Sequence, residues 1–320
     1  MDLIKLAEEI LAGKRLKRED GLDFFFTADL EELRKGAALL QDYFCGKKVD
    51  LCTIMNARSG RCSENCKFCA QSAHHHTGVD EYGFVEIDEI MEMALANQAE
   101  GADRFGLVTS GRRLDGEDFE HAIEAYKKMK ANCSISLCAG HGLLRREQFK
   151  RLREAGVESY HENIETSRRN FPNICTTHKF EDKLETMRIA KEEGFCVCSG
   201  GIIGMGETWE DRLDMALTLA ELGIESIPIN ALMPIPGTPL GHLPGLAPED
   251  ILRTVAFFRY INPAANIRLA AGRKMLPQNG REAFCGGASA TITGNMLTTS
   301  GSNIKEDIAM LHELGFNLNG

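Results

Sequence analysis

Four helix-like stretches of this chain end on a glycine directly ahead of a β-rich run, at Gly101, Gly156, Gly194 and Gly223. Glycine at that place accepts the left-handed conformation that closes a helix. A chain that repeats helix, glycine and strand lays its strands parallel, because each right-handed crossover brings it back in the same direction. The β-rich runs are residues 49–57, 103–111, 134–140, 157–165, 195–204, 225–233, 266–272 and 290–294. Eight such units predict an α/β fold, a (β/α)8 TIM-type barrel, with a doubly wound open sheet as the alternative. Residues 1–48 precede the first run and predict an N-terminal helical cap; residues 49–320 predict the barrel, with no low-complexity linker between them. At 320 residues the chain is large for one domain but fits a barrel of this kind.

Composition narrows the function. The net charge is −10, and the basic clusters at Lys14–Arg18 and Arg112–Arg113 are short, which argues against a nucleic-acid partner. No apolar run is long enough to cross a bilayer, and the charged N-terminus reads as an amphipathic helix, not an export signal. A cytoplasmic protein without a membrane partner is expected. Against that expectation stand 11 cysteines. Disulfides are disfavoured in such a compartment, so the count points to metal or redox chemistry plus some buried apolar cysteines.

Three of these cysteines, Cys62, Cys66 and Cys69, lie in "RCSENCKFCAQS", in the long loop after the first strand. A barrel gathers its chemistry at such strand ends. Thiolates are soft ligands that suit iron–sulfur clusters, and three of them on a four-iron cube leave one iron open. Structural zinc is the competing reading; it needs a fourth ligand, and only the run His74–His76, more simply a solvated surface, follows nearby. Other strand ends carry Cys138, Asn163, Glu165, Cys196, Cys198, Asn230 and Arg268, which suggests one convergent site.

The Cys-x3-Cys-x2-Cys spacing with Phe68 before the last cysteine resembles the radical S-adenosylmethionine signature. That resemblance implies a 4Fe–4S cluster on Cys62, Cys66 and Cys69, whose open iron takes the methionine end of S-adenosylmethionine. Further segments narrow it: "NARSGRCSENCKFCAQS", "NIETS" (163–167), "VCSGGIIGMGE" (197–207), "IPIN" and "GTPL" (227–240), "IRLAAGR" (267–273) and "LTTSG" (297–301). Each is similar to a segment of the biotin synthase family, in the same order. The family implies radical sulfur insertion converting dethiobiotin to biotin, with sulfur donated by an auxiliary iron–sulfur cluster. An aliphatic C–H has no useful acidity, so such a site needs no acid–base triad; the protein's share is placement and exclusion of water.

The resemblance also implies residues. Asn163, Glu165, Ile202 and Met233 match positions around S-adenosylmethionine, and Asn163, Asn230, Thr298 and Thr299 positions around the substrate. The family usually has Asp where Glu165 stands. For the auxiliary cluster, Cys138, Cys198 and Arg268 match three of four family ligands, while the fourth falls on Gly106. Cys175, Cys196 and Cys285 are candidates for a relocated ligand, and buried apolar cysteine is the other reading of each. Cys45, Cys52 and Cys133 read as small buried hydrophobes. The auxiliary cluster, 2Fe–2S in the usual family, is expected here to be a larger, four-iron type. "YHEN" (160–163) replaces the family's "YNHN", so His161 and Glu162 mark a modified pocket. A flavodoxin or ferredoxin reductant and a homodimer are the expected partners. The alternatives are a hydrogenase maturase-like enzyme of the same branch, or a non-catalytic iron–sulfur protein.

Overall fold

The computed structural model describes residues 1–294, 297 and 302–317. Two helices open the chain, α1 (Leu3–Leu11) and α2 (Leu30–Phe44). The first half of the barrel follows: β1 (Asp50–Arg58), α3 (Ile87–Ala99), β2 (Arg104–Thr109), α4 (Gly116–Asn132), β3 (Ser136–Gly140), α5 (Arg146–Glu154) and β4 (Ser159–His161). After the short α6 (Phe171–Ile174) come α7 (Phe180–Glu192), β5 (Cys196–Cys198), β6 (Gly201–Ile203), α8 (Trp209–Glu221) and β7 (Ser226–Ala231). The chain finishes with α9 (Pro248–Ile261), β8 (Asn266–Leu269), α10 (Arg281–Phe284), β9 (Ala290–Ile292) and α11 (Ile304–Glu313).

All strand pairs are parallel, in the order β5-β4-β3-β2-β1-β9-β8-β7-β6, and a further pairing of β5 with β7 closes the barrel. The open-sheet alternative is thereby ruled out. Gly101, Gly156, Gly194 and Gly223 all have positive φ (60° to 96°), so the glycine after each of α3, α5, α7 and α8 turns the chain into the next strand.

Two predicted strands need correction. Residues 195–204 form two pieces, β5 and β6, because Gly200 passes so close to β7 that a Cβ there would lie 1.9 Å from the Pro228 carbonyl oxygen. The chain drops its pairing with β4 and takes up pairing with β7. The fourth strand stops at His161, short of the predicted Glu165, which is left-handed at φ 68°.

Outward-facing strand residues such as Phe105, Leu107, Leu137, Tyr160 and Val197 are fully buried under the helices. Each large apolar side chain there contributes about 1.5–3 kcal/mol. Inward-facing positions differ: Gly106, Gly140, Ser159 and Ser226 replace the bulky layers usual in such barrels, so the lumen is hollow. Below it, α1 and α2 pack against α9. Tyr260 crosses over Gly36 and donates to the Leu3 carbonyl (3.1 Å). Gln41 donates to the Phe284 carbonyl (3.0 Å) and accepts from the Gly287 N–H (2.9 Å), which joins the helical cap to the barrel's underside. Among the described residues, no helix is long and apolar enough to cross a membrane.

Candidate active site

The loop after β1 folds back on itself: the Cys62 N–H donates to the Gln71 carbonyl (3.0 Å) and the Ala73 N–H to the Cys62 carbonyl (2.8 Å). Within it, the Cys69 N–H donates to the Cys66 carbonyl (3.0 Å). A second segment, α6 and the residues after it, holds the loop from outside. Lys67 N–H donates to the Ile174 carbonyl (3.0 Å), and the Glu64 carboxylate accepts from Thr177 Oγ1 (2.8 Å) and contacts His178 Nδ1 (2.5 Å). Cys62, Cys66 and Cys69 are thus presented together on the rim of one cavity of about 380 Å³. Burial pushes the Cys69 thiol up to about 11 and raises Cys62 as well. Neutral thiols are the stable form there until a metal takes the protons' place.

Beside the rim, Glu165 is half-buried with its buried Oε2 lacking any partner, and desolvation raises its carboxyl despite Lys183 at 3.9 Å. Lys183 forms a closer ion pair with Glu162, which accounts for one half of the "YHEN" change. Asn163 Oδ1 accepts from Gly200 N–H (3.0 Å), pinning the point where β5 gives way to β6. Asn230 donates to the Gly201 carbonyl (3.1 Å) and accepts from Ala271 N–H (3.1 Å), leaving one N–H free for the lumen. Ile202 and Met233 line the same cavity. Thr298 and Thr299 lie outside the described residues.

The cavity floor is chemically distinct. Cys138, Cys196, Cys198 and Arg268 line it, as do Cys52 and Arg104. Arg268 pairs with Asp50, which also pairs with Arg104 (3.3 Å), so a chain of charges runs across the bottom. Burial would raise the Cys198 thiol, but the hydrogen bond from His161, the Arg268 charge and Ser226 bring it down to about 7. His161 is the other half of the "YHEN" change: it lines the same cavity, and its bond to Cys198 raises it despite burial. The remaining candidates lie elsewhere. Cys175 sits against Cys66 and His178 (3.3 Å), on the outer side of the rim loop, and Cys285 is exposed at the end of α10; neither lines the cavity.

Arg104 and Lys183 were not singled out by sequence, Cys52 read as a small buried hydrophobe, and His161 only as the mark of a modified pocket. Cys52 and Arg104 are register partners on β1 and β2, and nothing short of that register tells which face of each strand meets the lumen.

Comparison with known proteins agrees with this geometry. The Radical SAM superfamily profile matches residues 57–219, and the Biotin and Thiamin Synthesis associated domain matches residues 228–317. The chain is 59% identical over 318 residues to biotin synthase of Alkaliphilus metalliredigens (strain QYMF), covering 99% of this chain and 100% of that protein. It is 56% identical to biotin synthase of Clostridium beijerinckii, covering 98% of this chain and 99% of that one. Among solved structures, methylornithine synthase superposes with TM-score 0.85 at 18% identity, covering 98% of this chain and 97% of the other. The FeFe-hydrogenase maturase HydG from Carboxydothermus hydrogenoformans gives 0.82 at 16% identity, covering 98% and 78%. These two structures speak for the fold alone. Profile matches across both halves and full-length identity above one half carry the assignment: the chain belongs to the biotin synthase family of the radical SAM superfamily.

Proposed function

We propose that this chain inserts sulfur into dethiobiotin to form biotin, with the rim and floor of the barrel cavity as its two metal stations. Cys62, Cys66 and Cys69 hold a 4Fe–4S cluster, and Cys138, Cys198 and Arg268 take part in an auxiliary one. When bound, the rim cluster and S-adenosylmethionine supply a 5′-deoxyadenosyl radical and the auxiliary cluster supplies the sulfur. The observation that carries this reading is the pairing, within one lumen, of a three-thiol rim loop with a separate group of thiols beside an arginine. The donor sets suit the groups: thiols are the soft ligands such clusters use, and buried guanidiniums offset the anionic charge they bring.

The chain's own residues do the positioning. The unpartnered Oε2 of Glu165 accepts from a hydroxyl or ammonium of S-adenosylmethionine, while Ile202 and Met233 cover its apolar parts. The spare N–H of Asn230 meets the substrate's ureido carbonyl. A lumen lined by small residues keeps substrate between rim and floor, and closing it against water protects a radical that would react with most neighbours. Thr298 and Thr299 belong to the substrate's carboxylate end in this reading. The auxiliary cluster is of a larger, four-iron type, the reductant a flavodoxin or ferredoxin, the enzyme a cytoplasmic homodimer, and residues 1–48 a cap on the barrel of residues 49–320.

The test is anaerobic turnover of reconstituted protein with dithionite, S-adenosylmethionine and dethiobiotin. Biotin together with 5′-deoxyadenosine is expected. Release of 5′-deoxyadenosine without biotin favours a different radical enzyme, and release of neither favours a non-catalytic iron–sulfur protein.

A further inference from the structure

The floor holds one thiol more than the sequence comparison led us to look for. Cys52 lies on β1, and its side chain enters the lumen alongside Ile54, two positions further on. It is almost wholly buried, and its one hydrogen bond is a weak contact from Sγ to the Thr53 carbonyl at 3.6 Å. A buried cysteine of this kind is ordinarily packing. Here, however, it shares its pocket with polar groups: Arg104, its register partner on β2, and Arg268 and Cys198 line the same cavity. Cys138, on β3, lines the same cavity beside them. Three thiols from three separate strands therefore face one pocket walled by two guanidiniums.

The space between them is open because the wall is built from the smallest residues. Gly106 stands between β1 and β3, and a Cβ added there would meet Ile54 and Cys138 at 3.5 Å, an ordinary contact. The glycine therefore leaves room that a side chain could have filled. Cys196 also lines the pocket, but it shares its strand with Cys198 and so adds no further strand to the set. Cys175 lies behind the rim loop and does not line this pocket.

We infer that Cys52 is a ligand of the auxiliary cluster, joining Cys138 and Cys198 across the floor beside Arg268. The inference rests on the auxiliary-cluster reading above and names a residue of this chain within it. It makes β1 a shared support, with its Cys52 end serving the floor and the loop after it serving the rim.

The experiment uses the full chain with Cys62, Cys66 and Cys69 all changed to Ala, so that only floor-bound iron remains. After anaerobic reconstitution, iron and sulfide content and the Mössbauer spectrum are measured with and without Cys52→Ala. Retained iron in the triple variant and its loss on adding Cys52→Ala are expected. Cys52→Ser guards against misfolding, with far-UV circular dichroism as the check; it is expected to fold and to change or lose the spectrum. Adding Gly106→Cys to Cys52→Ala is expected to restore bound iron, which a merely structural role for Cys52 would not produce. An unaltered iron content and spectrum in folded Cys52→Ala or Cys52→Ser overturns the ligand assignment alone. A triple variant that binds no iron overturns the auxiliary-cluster reading itself.

Discussion

Burial raises the Glu165 carboxyl, the Lys183 ammonium at 3.9 Å opposes it, and one oxygen is left without a partner. A carboxylate kept in that condition is poised for a ligand's donor. Replacing it by Gln in Glu165→Gln removes a charge-assisted bond worth about 1.5–3 kcal/mol, so the KM for S-adenosylmethionine should rise by about tenfold or more while bound iron stays constant. An unchanged KM would remove Glu165 from the cofactor site. Lys183 serves two carboxylates, and Lys183→Met leaves buried Glu162 uncompensated; urea unfolding should show a loss of about 3–5 kcal/mol, partly recovered in Lys183→Met with Glu162→Gln. His141 gives the acid limb its sign. Burial, with help from Arg58, lowers it from 6.5 to about 3, and it is held between Thr109 Oγ1 (3.0 Å) and the Tyr126 hydroxyl (2.9 Å). The unfolded chain takes that proton first. Its contribution is therefore complete above about pH 6.5 and falls by up to ~1.4 kcal/mol per unit as pH drops toward 3. His141→Gln should flatten that slope in urea titrations at successive pH values. At this scale the sequence revealed the rim motif because its three cysteines are neighbours in the chain. Cys52 and His161 were hidden because their meaning depends on partners brought together only across the lumen.

At the scale of elements, glycines after helices disclosed the parallel order, while the interruption between β5 and β6 did not show. "CSGG" reads equally well as continuous strand, and only the closeness of β7 breaks it. Gly200→Ala should therefore cost about 3 kcal/mol or more, since the obstacle is the Pro228 backbone and not a side chain that can swing away. Gly83→Ala, with nothing within 4 Å of the added Cβ, is the matched control. Equal thermal midpoints for the two variants would show that the strands can part without cost. The capping box at α8 pairs Thr208 with Asp211, three residues on; the side chain of Thr208 accepts from the Asp211 N–H at 3.3 Å. The site's dependence on the break was not legible, since Asn163 reaches the Gly200 N–H only after the chain has shifted partners.

For the molecule as a whole, the cap shares its core with the barrel: Leu33, Ala37 and Leu40 belong to one buried cluster with Phe257, Phe258 and Phe284. A fragment of residues 49–320 uncovers those side chains, and it should be insoluble or molten when expressed alone. A folded, soluble fragment by circular dichroism would mean that the cap merely rests on the surface. The lumen itself has another consequence. The Arg268–Asp50–Arg104 chain crosses its floor, and the three-cysteine loop lines the same cavity at the rim. On the two-station proposal this order imposes a queue: a group destined for the floor would pass the rim on its way in and would have to be delivered before the rim is filled. Refilling the inner berth would then wait on clearing the outer one.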